Sequence, residues 1–168
     1  MDGPAALVEI FGRIGPLVRE ATESLTPAQL TEAPGPGANT IGWLAWHLTR
    51  VQDIYVAGFV EADQLWVTGD WARRFGLDPD PSNSGYGHTP EEVASVRPES
   101  AALLVEYYDA VDRRTSRFLD DLTGDDLDRI VDRAWDPPVT LGVRLVSIAD
   151  DSLQHVGQAA YVRGLLFG

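Results

Sequence analysis

Apolar residues recur at helical spacing over four long stretches of the chain. Leu7, Ile10, Phe11, Ile14, Leu17, Val18 and Leu25 predict a helix over 3–25. Gly15-Pro16 should bend it, because proline lacks the amide donor that the helix needs there. Thr26-Pro27 reads as a short helical turn with Thr26 as N-cap. A Pro/Gly-rich loop over 31–39 follows, and Asn39 or Thr40 caps a second helix running to about Asp63. Its buried face is Ile41, Leu44, Ala45, Leu48, Val51, Tyr55 and Phe59. A third helix spans about Glu99 to Leu122, marked by Leu103, Leu104, Tyr107, Val111, Thr115, Phe118 and Leu119. Trp135-Asp-Pro-Pro breaks the chain, and Thr140 caps a last helix from about Leu141 to Leu166.

Between the second and third helices, residues 64–98 show no sustained period. They hold Trp66, Trp71, Phe75, Pro79, Pro81, Gly85, Tyr86, Gly87 and His88. A connection that long is a covering loop or disordered, and its aromatics favour packing over the helices. A short helix is expected after Thr89-Pro90, and a further turn over Asp125 to Val131. The only strand candidates lie near Val131 and Val139. Four long helices predict an all-α four-helix bundle, a single domain over 1–168, with a long irregular connection between helices 2 and 3.

Composition narrows the function classes. The chain has 168 residues, 44% hydrophobic and 23% charged, values of a folded globular protein. Thirteen Lys and Arg stand against 26 Asp and Glu, a net charge of −13. No basic face for nucleic acid can be built from that balance, and an anionic membrane would repel it. No segment reads as a signal peptide or a membrane span, so a cytoplasmic protein is expected. There is no cysteine, which excludes disulfides, thiolate metal sites and a cysteine nucleophile. Any nucleophilic sulfur must come from a small molecule.

Three polar residues sit where apolar ones are expected. Asp151 and His155 are i and i+4 on the last helix, on the stripe Ile148, Asp151, His155, Ala159, Val162. His47 lies beside the apolar face of the second helix. Burying a carboxylate and an imidazole is costly unless something pairs with them. One reading is a buried Asp151–His155 ion pair with His47 an ordinary core or rim histidine. The other is a divalent metal held by all three, with coordination positions left open for chemistry. His88 reads as a surface loop histidine or a lid residue. Arg50 and Arg163 read as surface salt-bridge formers or as anion binders. Trp66, Trp71 and Tyr86 read as core packing or as pocket walls, and Gln158, one turn beyond His155, as a group orienting a ligand.

The stretch Asn39-Thr-Ile-Gly-Trp-Leu-Ala-Trp-His47-Leu-Thr-Arg-Val-Gln-Asp53 resembles the second helix of the DinB/YfiT-like metalloenzyme superfamily. Asp151-Ser-Leu-Gln-His155-Val-Gly-Gln158-Ala-Ala-Tyr161-Val-Arg163-Gly resembles the last helix of that superfamily, and Gly85-Tyr-Gly-His-Thr-Pro-Glu-Glu-Val looks like an actinobacterial branch of it. The resemblance covers nearly the whole chain. It implies a four-helix bundle with one metal on His47, Asp151 and His155, an acidic residue replacing the first histidine of the last-helix motif as in isomerase-like relatives. It also implies relatives such as a mycothiol-dependent maleylpyruvate isomerase and mycothiol or bacillithiol S-transferases, and a homodimer. Aspartate has a short reach, so the last helix must come close to the metal. Zinc is the first expectation, with Ni(II), Fe(II) or Mn(II) suited to the same donors.

Two neutral imidazoles and one carboxylate around a divalent ion leave a charge of about +1, which favours an anionic fourth ligand such as a thiolate. The expected activity is therefore a metal-dependent thiol S-transferase, bringing mycothiol to a small electrophile. The alternatives are a metal-dependent hydrolase using activated water, and a non-catalytic bundle that binds a metal or small molecule.

Overall fold

The computed structural model describes all 168 residues, Met1–Gly168. The chain is mainly helical. The first arm is two helices, α1 (Gly3–Gly12) and α2 (Ile14–Thr22), where one bent helix over 3–25 was expected. Pro16 has no amide hydrogen to return to the carbonyl of Gly12, so the ladder breaks at Arg13 rather than bending. Thr26 caps the short α3 (Pro27–Leu30) in a reciprocal capping box with Gln29.

The second arm, α4 (Ile41–Phe59), starts at Thr40, whose hydroxyl accepts from the Trp43 amide at 3.1 Å. It stops before the expected Asp63. Glu61 turns into the left-handed region at φ 52°, and the Ala62 amide reaches back to the Ala57 carbonyl at 3.0 Å, a helix stop of Schellman type. The third arm is α8 (Ala101–Asp120), capped by Ser100, and the fourth is α9 (Leu141–Phe167), capped by Thr140.

α4 packs against α8 and α9, and α2 packs against both as well. One apolar cluster runs through all four arms, from Phe11 and Ile14 through Leu44 and Leu48 to Tyr107, Leu145 and Val156. The weak strand candidates do pair: β1 (Ile130–Asp132) and β2 (Val139–Thr140) form an antiparallel ribbon, preceded by a single 3-10 turn at Asp125–Asp128. This ribbon sits at the start of α9. No helix is long and apolar enough to cross a membrane.

The segment 64–98 is more ordered than its sequence suggested. It contains α5 (Leu65–Thr68) and α6 (Trp71–Arg74), besides α7 (Pro90–Ser95), the short helix expected after Thr89-Pro90. Trp66 and Phe75 point into the core and are fully buried. The segment covers α4, so every residue from Ile41 to Arg50 is buried. That is why α4 lacks the polar outer face that an amphipathic helix shows.

Candidate metal centre

α4 and α9 carry the three residues singled out by spacing, and the fold brings them together. His47, Asp151 and His155 each offer a donor atom, and those atoms lie within 4.8 Å of one another. His47 is 5% exposed; Asp151 and His155 are half-buried. The two imidazoles meet edge to face with centroids 4.5 Å apart.

Each ring is fixed by a backbone carbonyl. The His47 Nδ1–H donates to the Ser84 carbonyl at 2.5 Å, which leaves Nε2 as the free nitrogen, 3.8 Å from Asp151 Oδ1. The His155 Nδ1–H donates to the Asp151 carbonyl at 2.7 Å, one turn back on its own helix, and so also leaves Nε2 free. Metal-ligating histidines are commonly oriented through the second ring nitrogen in this way. Trp43 stacks on His47 at 4.6 Å with an interplanar angle of 7°, which fixes the remaining rotation.

The carboxylate between them is only partly satisfied. Asp151 Oδ2 is buried and has no hydrogen-bond partner. Burial opposes ionisation of Asp151, but hydrogen bonds and charge from His155 and His47 outweigh it and hold the carboxyl at about 2. Burial likewise acts against charge on His155, yet the Asp151 carboxylate and carbonyl raise its pKa above the usual histidine value. A buried, ionised oxygen without a partner is what a bound cation would neutralise. Two imidazoles and a carboxylate are a donor set for a borderline divalent ion. Bonds of about 2.1 Å to two donors span at most about 4.2 Å, so small side-chain rotations close the trio on an ion. The residues fit a metal.

The centre opens into a cavity of about 380 Å³ between α4 and α9. Its helix walls run from His47 and Asp151 through Val51, Ser147 and Ile148, one turn away, to Ile54, Tyr55 and Arg144, two turns away. The loop residues Pro81, Ser82, Ser84 and Tyr86 cover it. Tyr86 is 93% exposed and so stands at the mouth, in keeping with a pocket wall.

The other residues picked out by sequence have different places. Arg50 is neither a surface salt-bridge former nor a free anion binder. It is fully buried, and all five of its N–H donors have acceptors: the Asn83 carbonyl, Asp53, the Tyr107 hydroxyl, Gln64 and the Pro81 carbonyl. It also lies over the Trp66 ring at 4.9 Å. Trp66 is core, packed on Trp46, Phe75 and Tyr107, and forms no part of the cavity wall. Trp71 packs on Tyr107, also away from the cavity. Arg163 donates to the Ala21 and Glu23 carbonyls at the end of α2 and so caps that helix. Gln158 is exposed on α9.

His88 is a strut. Its Nδ1 accepts from Trp43 Nε1 at 3.1 Å and its Nε2–H donates to Asn83 Oδ1 at 3.0 Å. Burial lowers its pKa, with Glu92 opposing and His47 adding to the effect. Trp43, His47 and Arg50 thus grip the loop Pro81–His88 from a single face of α4. Gly85 makes this possible: it adopts φ +90°, and a Cβ there would sit 2.8 Å from Trp46 and 3.0 Å from His47 Nδ1.

Arg144, Tyr55 and the Ser84 carbonyl were not anticipated. Arg144 could have been found by extending the Asp151 stripe back two turns. In the sequence Tyr55 carries only the spacing of a buried-face residue. A backbone carbonyl leaves no trace in side-chain patterning.

A family model of the DinB superfamily matches residues 13–159, which include all three candidate ligands. The chain belongs to the DinB superfamily. Among solved structures, this DinB protein is similar to one described as the conserved protein of a locus from Enterococcus faecalis. The two share 35% identity and a TM-score of 0.91, over 100% of this chain and 99% of that one. Comparison with curated proteins gives no match.

Proposed function

We propose that the four long arms form a four-helix bundle that holds one divalent metal on His47, Asp151 and His155, and that the protein is a metal-dependent S-transferase for a low-molecular-weight thiol. The observation that carries the metal is the buried, unpartnered Asp151 Oδ2 beside two imidazoles whose Nδ1 atoms are already spent. A bound divalent ion would supply a net charge of about +1 and a template that favours a thiolate over a neutral ligand.

The chain's own residues do the rest. The Ser84 and Asp151 carbonyls accept from the Nδ1–H groups of the two imidazoles and so leave each Nε2 available as a ligand. Trp43 and the Pro81–His88 loop keep bulk water from the His47 side. The cavity admits a small molecule from the Tyr86 mouth. The protein has no cysteine, so no internal thiol competes for the site. Zinc with mycothiol is the pairing to test first.

The test is metal-dependent conjugation of mycothiol to a haloalkyl dye. The proposal predicts product only with thiol and metal together, and none from His155→Ala. Turnover of esters or amides without thiol would replace transfer by hydrolysis. Tight metal binding without either reaction would leave a binding protein.

A further inference from the structure

The end of the cavity opposite the metal centre is built from a guanidinium. Arg144 is on α9, seven residues before Asp151, so two helical turns separate them, about 10 Å along the axis. Its side chain is 16% exposed and lines the cavity. Two contacts aim it. One terminal nitrogen donates to Asp132 Oδ2 of β1 at 2.7 Å, and the other to the Tyr55 hydroxyl at 3.3 Å. The guanidinium also lies over the Tyr55 ring at 4.8 Å.

Arg50 shows what a structural arginine in this protein looks like: fully buried, with five donors and five acceptors. Arg144 has five donors and two acceptors. Three N–H groups of this largely buried, pre-oriented fork have no acceptor in the protein, whose net charge is −13. Asp132 fixes the fork without using it up. Between Arg144 and the metal centre the helix walls are mainly apolar, with Val51 and Ile54 on α4 and Ile148 on α9; the Ser147 hydroxyl, also on α9, is spent on the Val143 carbonyl at 2.9 Å.

We infer that Arg144 is the specificity residue of this cavity, and that it selects substrates or thiols carrying a carboxylate at the end remote from the group that meets the metal centre, with a mainly apolar span between them. A carboxylate can accept from the N–H groups that remain free, and charge-assisted bonds of this kind are the stronger ones. Asp132 and Tyr55 are positioning residues. The inference rests on the metal reading only for the identity of the opposite end.

The test compares a medium-chain ω-mercaptocarboxylate with the ω-mercaptoalcohol of the same length. Binding to cobalt-substituted protein is read by the thiolate-to-metal absorption band, and binding to metal-free protein by calorimetry. Wild type should prefer the carboxylate by about tenfold, the factor expected for one charge-assisted contact. Arg144→Gln should lose that preference with alcohol binding unchanged, and Arg144→Lys should restore part of it. Equal affinities in wild type would overturn the inference whether or not the variants fold. A preference that survives in Arg144→Gln would also overturn it. Failure to take up cobalt, with the carboxylate preference intact on metal-free protein, would overturn the metal reading and support the Arg144 site.

Discussion

Arg50 and Asp53 form the most demanding polar pair in the protein. Both side chains are fully buried. Asp53 accepts from the Leu65 and Trp66 amides and the Tyr107 hydroxyl, so it ties α5 to α4 and α8. Removing one partner of such a pair strands the other, a loss of about 3–5 kcal/mol. Arg50→Met should therefore lower stability by that amount in chemical denaturation. Asp112 makes the opposite case. Burial raises its carboxyl pKa, Asp109 adds to this, and the Tyr108 hydroxyl with Arg19 and Arg113 only partly offset it. A raised carboxyl means that the folded protein holds its proton more tightly than the unfolded chain. Stability from this group is present at acid pH and is lost as pH rises through its folded value. Asp112→Asn should match wild type at acid pH and be more stable near neutrality, as unfolding curves across pH will show. At this scale much was legible: two polar groups four apart on an apolar stripe required a partner. Arg50 was not legible, because the carbonyls that satisfy it belong to a loop 31–33 residues away.

The element that decides the site is the loop Pro81–His88 against α4. Gly85 is its tightest point, where a side chain would meet Trp46, His47 and Trp43 together. Gly85→Ala should push the loop outward and break the Ser84–His47 bond. Loss of such an orienting contact costs about 10–100-fold in metal affinity, which titration against a competing chelator will measure. Helical elements were readable because their periods and caps are local. Thr26, Thr40, Thr89 and Thr140 each cap a helix that their sequence context announces. The stretch 64–75 was not readable as helix, because α5 and α6 are single turns whose order comes from burying Trp66 and Phe75 and from Asp53. The break at Arg13 was announced by Pro16, although a bend was expected there. The β1–β2 ribbon is five residues in all and carries only a faint pattern, yet it supplies the Asp132 carboxylate that holds Arg144.

Over the whole molecule, 26 acidic groups outnumber 13 basic ones, and the Arg–carboxylate pairs on the surface are solvated. Exposed pairs contribute little, so self-repulsion dominates the long-range electrostatics. Added salt screens it. Metal-free protein should therefore unfold at higher urea concentration as NaCl is raised. Membership of the DinB superfamily and the close structural likeness to the Enterococcus faecalis protein establish the frame. The activity must be argued from the centre that the frame holds, because one fold hosts many functions.

The central claim is that His47, Asp151 and His155 hold a divalent ion. Metal analysis of the purified protein, beside His47→Ala and His155→Ala, tests it most directly. The account predicts about one equivalent of metal per chain in wild type and close to none in either variant, with all three proteins folded. Wild type that stays metal-free after reconstitution with zinc, nickel, iron and manganese would contradict it.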